Sequence, residues 1–74
     1  MQRTIDEQLA PDARAVSVAL REARRLSTRK MAVALRRSRT YALRVLESLR
    51  AAGVVRWVGK SRKDPRAYWE LDAR

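Results

Sequence analysis

The chain contains neither cysteine nor histidine. Without thiols there is no disulfide to staple the fold, and thiolate-bound zinc or iron–sulfur centres are excluded. Without imidazole, the commonest acid/base catalyst and the commonest neutral metal ligand are gone. The eight carboxylates are scattered along the chain and form no catalytic arrangement, so the expectation is a protein that is not an enzyme and uses no metal or cofactor. Long apolar runs are missing too. The longest, at 31–35, has five residues, where spanning a bilayer takes about 20. The opening stretch, Met1-Gln2-Arg3-Thr4-Ile5-Asp6, carries no apolar core of the kind a secretory signal needs, which makes a cytoplasmic location the default expectation. Glycine and proline occur only twice each, and each falls where one element should give way to another.

What is present in excess is positive charge. Eighteen Lys and Arg face eight Asp and Glu, a net of +10 in 74 residues. Residues 13–66 alone hold sixteen of the bases and three of the acids, so the charge belongs to the fold and not to a tail. Such a field attracts polyanions and speeds their encounter. Arginine outnumbers lysine fifteen to three, and its planar fork suits phosphate and guanine. A merely soluble, highly charged surface is the plainer explanation. An anionic membrane surface would be another partner for this charge, but the apolar residues are needed for a core.

The length allows one compact domain with a modest core. Residues 1–11 read as an N-terminal extension. Within it, Thr4-Ile5-Asp6-Glu7 has capping-box spacing for a short helical turn. Residues 12–74 read as the domain. Pro11-Asp12 opens a helix expected over about 12–25, with Val16, Ala19, Leu20 and Ala23 as its apolar stripe. Ser27 suits the N-cap of a second helix whose inner face is Met31, Ala32 and Leu35. Arg36-Arg37 is the turn. Ser38 caps a third helix running to Ala52, with Ala42, Val45, Leu46 and Leu49 inward at i, i+3, i+4 and i+7. Gly53 fits the left-handed position that ends many helices. The period then drops to 2. Residues 54–58 read as a strand, 59–66 as a basic loop, and 67–71 as the returning strand with Ala67, Trp69 and Leu71 on one face. Trp57 and Trp69 should meet across the hairpin. They suit a core or the stacking of single-stranded bases, and hairpin spacing favours the core.

This α+β order of three helices and a basic hairpin resembles the winged helix-turn-helix superfamily of bacterial DNA-binding domains. The stretches that carry the likeness are Ser27-Thr28-Arg29-Lys30-Met31-Ala32-Val33-Ala34-Leu35 and the run from Ser38-Arg39-Thr40-Tyr41 through Ala51-Ala52-Gly53-Val54-Val55. They are similar to MarR-like, ArsR-like and PadR-like regulators in the Leu-Ala pair, the Ser-capped recognition helix and the Leu-x-x-x-Gly exit; Trp69-Glu70-Leu71 is similar to their closing strand. The small size also resembles the gamma domain of FtsK-type translocases. The chain departs from the pattern at Arg36 and Arg37, where those families often place a glycine and an aliphatic residue. It lacks the long dimerisation helices of MarR-like proteins and any visible effector pocket or metal-ligand set.

A recognition helix shows its N-terminal and outward residues to base edges. Here the outward set is Arg39, Thr40, Tyr41, Leu43, Arg44, Glu47 and Ser48. Arg39 and Arg44 are the leading base readers, since arginine pairs bidentately with guanine. Thr40, Tyr41 and Ser48 complete the base-reading group. Tyr41 also reads as half core, and Arg44 could instead pair Glu47 on a solvated face. Arg29, Lys30, Arg36, Arg37 and Ser38 flank the helix and suit phosphates. Lys60, Ser61, Arg62, Lys63 and Arg66 form a wing for backbone or minor-groove contact, while Asp64-Pro65 shapes the loop's return.

The expected activity is sequence-specific binding of double-stranded DNA, most simply by a small bacterial, plasmid or phage transcription regulator. A homodimer or repeated half-sites would be compatible with it. Three alternatives stand beside it: the DNA-targeting domain of a larger translocase, recombination or replication protein, a protein–protein interaction module, and an RNA binder. A start methionine before a polar stretch fits a complete small protein or an excised domain alike.

Overall fold

The protein was analysed as a computed structural model that describes residues 10–61 and 63–72. Three helices precede an antiparallel hairpin, the α+β arrangement of a winged helix: α1 Ala10–Ala23, α2 Thr28–Leu35, α3 Arg39–Ala51, β1 Val55–Val58 and β2 Tyr68–Leu71. The extension and its capping-box turn lie outside the described residues up to residue 9. Among the described residues, no helix is long and apolar enough to cross a membrane.

α1 begins and ends two residues before the expected bounds. Its C-terminal stop is a backbone event. Arg24 takes a left-handed conformation at φ 69°, which halts the helix and releases Leu26. Leu26 then pairs with Trp69 through two backbone bonds, Trp69 N–H to the Leu26 carbonyl at 2.7 Å and Leu26 N–H to the Trp69 carbonyl at 3.1 Å. This one-residue bridge adds a third strand position beside β2 and ties the hairpin to the helices.

The caps follow the expectation. The Ser27 hydroxyl accepts the Lys30 N–H, and the Ser38 hydroxyl accepts the Tyr41 N–H, each at 3.1 Å. Each satisfies a donor that a helix start leaves without a partner, worth about 1 kcal/mol. α2 and α3 share one C-terminal device. Arg37 N–H reaches the Ala32 carbonyl at 3.1 Å and Val54 N–H reaches the Leu49 carbonyl at 2.9 Å, the six-to-one bond of a Schellman motif. The left-handed residue is Gly53 at φ 78° in one case and Arg36 at φ 57° in the other. A side chain in that conformation costs about 1–2 kcal/mol. The turn therefore closes without a glycine, by accepting a strained arginine.

The core lies between the helices and the inner face of the hairpin. Val16, Leu20, Met31, Ala42, Val45, Leu46, Leu49, Val55 and Trp69 are buried. All four inward residues of α3 are among them. On α1 the stripe is Ala13, Val16 and Leu20, while Ala23 is exposed. The hairpin register pairs Val55 with Leu71, Arg56 with Glu70, Trp57 with Trp69, and Val58 with Tyr68. Alternation puts both tryptophans on the inner face and the Arg56–Glu70 ion pair on the outer one.

Candidate nucleic-acid interface

Burying one stripe of α3 dictates what the opposite side shows. Arg39, Thr40, Leu43 and Arg44 are exposed, and Glu47 and Ser48 are half-buried. Glu47 does not pair with Arg44. Its carboxylate accepts from Arg50 Nε at 2.8 Å, one turn further on. Among the described residues, Arg39 and Arg44 have no ion pair, so the N-terminal half of α3 presents two free guanidinium groups.

Tyr41 sits differently from its expected neighbours. Its hydroxyl donates to Asp12 Oδ2 of α1 at 2.6 Å, and the Arg37 guanidinium lies over its ring at 5.1 Å. The hydrogen bond to Asp12, with burial and the carboxylate's charge, raises the hydroxyl's pKa above its ordinary value of 10, against the opposing charges of Arg37 and Arg44. Tyr41 is thus a strut between α3 and α1, which matches its half-core reading and leaves its hydroxyl committed. Arg37 shares in this, 3.8 Å from Asp12, so part of its charge is answered within the fold.

The other flanking cations remain open. Arg29 and Lys30 in the first turn of α2, and Arg36 in the turn, are exposed, as is Ser38. In the hairpin tip Lys60, Ser61, Lys63 and Arg66 are exposed; Arg62 lies outside the described residues. The tip is organised by one side chain. The Asp64 carboxylate accepts the Lys60 N–H through Oδ2 and the Arg66 N–H through Oδ1, both at 2.9 Å. Those two bonds favour the charged form and lower the Asp64 pKa from its ordinary 3.8.

Between helix and hairpin runs a groove of about 620 Å³. Arg39, Leu43, Glu47 and Arg50, spaced along one flank of α3, form one wall. Trp57 forms the other, with Trp69 and Thr28 also lining the groove. Trp69 is 2% exposed, and its indole N–H donates to Thr28 Oγ1 at 2.9 Å. Trp57 is half-buried and open to the groove. Its ring rests on Gly59, where a Cβ would come within 2.8 Å of Cη2; only glycine permits that approach. The sequence singled out neither the groove nor Arg50 and Thr28, because the groove exists only once α2, α3 and β1 are assembled.

Not all the arginines join this side. Arg25 lies over the Tyr68 ring at 4.9 Å on the hairpin's outer face, and Arg56 is paired there with Glu70. No family model matches the chain, and neither the curated proteins nor the solved structures yield a match.

Proposed function

We propose that this chain binds double-stranded DNA, with the N-terminal half of α3 in the major groove and the hairpin tip on the phosphate backbone. The observation that carries the reading is two exposed guanidinium groups on the N-terminal half of α3 with no ion pair among the described residues: Arg44, beside an exposed Thr40 on the side opposite the core stripe, and Arg39 on the flank that borders the groove. The Arg44 fork pairs with a guanine edge in the major groove, and Arg39, on the flank toward the hairpin, meets the adjoining backbone. Arg29 and Lys30 follow Thr28 in the first turn of α2, Lys60 follows Gly59 at the hairpin tip, and all three are exposed. They supply the phosphate contacts that set register. Tyr41 and Arg37 support the helix from behind and are left out of the contact set.

Transcription regulation is the simplest use of such a module. Use as the targeting domain of a larger DNA-handling protein requires the same surface.

The test is anisotropy of labelled duplexes selected from a random pool, measured across salt concentrations. With about five phosphates neutralised, log affinity falls against log salt with a slope near −4 to −5. Arg44→Ala costs roughly 1–3 kcal/mol and relaxes preference at one base pair. Lys60→Ala weakens all sequences alike and flattens the slope by about one. A chain that ignores duplex DNA at low salt, yet holds a protein partner tightly, belongs to the interaction-module class instead.

A further inference from the structure

Two tryptophans face each other across one rung of the hairpin, yet only one of them is core. Trp69 is sealed, and its indole N–H is satisfied by Thr28. Trp57, on the outer strand of the sheet, keeps part of its surface in the groove. Gly59 lets the ring lie close against the backbone, which holds it from that side. Across the groove stands Leu43, 41% exposed on a helix that had a core face available for its leucines. An aromatic platform, an aliphatic wall and the free guanidinium of Arg39 thus border one open slot.

The slot's charges narrow its occupant. Among the described residues Glu47 is the one carboxylate lining it, and Arg50 holds that carboxylate at 2.8 Å. Arg39 is left over as net positive charge. A flat apolar body with a negative group attached satisfies all three walls. A nucleotide has that form: every base offers a π-face for an indole, and its phosphate suits a guanidinium. A base inside an intact duplex cannot enter, because its faces are covered by its neighbours in the stack.

We infer that the groove between α3 and the hairpin is a stacking site for an unpaired nucleobase of DNA, with Trp57 as the platform, Leu43 as the facing wall and Arg39 on the adjoining phosphate. The inference rests on the DNA-binding reading and extends it. The protein would hold a duplex through α3 and the wing, and prefer one whose strand continues unpaired past the duplex end.

The experiment compares one duplex in three forms: blunt, with a four-nucleotide 3′ overhang, and with a four-nucleotide 5′ overhang. Affinity is read by anisotropy and Trp57 by its fluorescence, with Trp57→Phe identifying its share of the emission. The expected result is one overhang bound roughly 5–100-fold more tightly than the blunt form, with quenching that Trp57→Phe removes. Trp57→Ala should reduce that preference while leaving blunt-duplex affinity within about twofold, and Leu43→Ala should lower the ratio of overhang to blunt affinity. Blunt binding is also the check that the variants fold. Equal affinity for all three forms, or a preference untouched by both alanine variants, overturns the stacking site while leaving duplex binding intact. A Trp57 signal that changes with protein concentration alone, without DNA, overturns it in favour of a second copy of the chain. Failure to bind even the blunt duplex removes the underlying reading instead.

Discussion

The root and the tip of the hairpin are held by opposite means. At the root, Trp69 ties the hairpin to the core and to the sequence-distant segment 26–28: it is buried, pairs with the Leu26 backbone and donates to Thr28. At the tip, Asp64 binds the backbone of Lys60 and Arg66, and the local turn bonds run from Asp64 N–H to the Ser61 carbonyl and from Ala67 N–H to the Asp64 carbonyl at 3.1 Å each. None of those tip bonds spans more than four residues. The root is a product of the whole fold, whereas the tip is self-contained. The side chains of the tip can therefore be altered without disturbing the core that positions them.

The largest effects belong to the root. Trp69→Ala should destabilise the domain by about 3–5 kcal/mol, enough to threaten folding in a chain this small, as read by chemical denaturation. Thr28→Val is the sharper probe, because it keeps the volume and removes the acceptor. The indole N–H is then left unsatisfied in a buried place, at a loss of about 1–3 kcal/mol. If Thr28→Val proves neutral, the root is held by packing and the Leu26 backbone pair without the indole bond, and the contrast with the tip weakens.

The periodic parts of this architecture were legible from residue order. A 3.6-residue spacing predicts Ala42, Val45, Leu46 and Leu49 inward, and all four are buried. Ser27, Ser38 and Gly53 mark helix ends by their own chemistry, and they mark them in the structure. The parts that escaped have no period. A single-residue bridge at Leu26 has no alternation to read. The Tyr41–Asp12 bond spans 29 residues, and nothing local announces it. Residue order marks the turn at Arg36-Arg37, but nothing in an arginine announces its left-handed conformation, since that shape comes from the carbonyls of α2 that it caps. For the candidate interface, exposure of Arg39, Thr40 and Arg44 was readable as the complement of the core stripe. The division between a sealed Trp69 and an open Trp57 was not, because it depends on which hairpin strand receives Leu26 as a neighbour.

At the tip the prediction concerns a sign. Asp64→Asn removes a negative charge from a wing proposed to meet phosphates, and charge alone would then tighten DNA binding. The amide, however, has only one oxygen to accept with, so one of the two backbone N–H groups, Lys60 or Arg66, loses its partner. With the loop loosened, ordering the cationic side chains adds to the entropic cost of association. The expected outcome is roughly 3–10-fold weaker binding, with the thermal midpoint of the domain little changed. Tighter binding in the same assay would mean that the wing acts as a diffuse charge, and that its local order is irrelevant to the partner.

The smallest effect is the pH response of the tip. The backbone bonds lower the Asp64 pKa from 3.8, so in the folded chain the carboxylate stays charged to lower pH than it would unfolded. A depressed carboxylate pKa contributes order that is fully present above the unfolded value and is lost as pH falls through the folded one. Between pH 7 and 5 the tip should therefore not change. Below about pH 3.8 the Lys60 and Arg66 amide protons should begin to shift together in nuclear magnetic resonance spectra, tracking one titration. The Leu26 and Trp69 amides at the root, whose partners are backbone carbonyls, should not follow that titration. Joint movement of root and tip amides in one step would show that the hairpin responds as a unit, and the separation of a core-anchored root from a self-contained tip would fail.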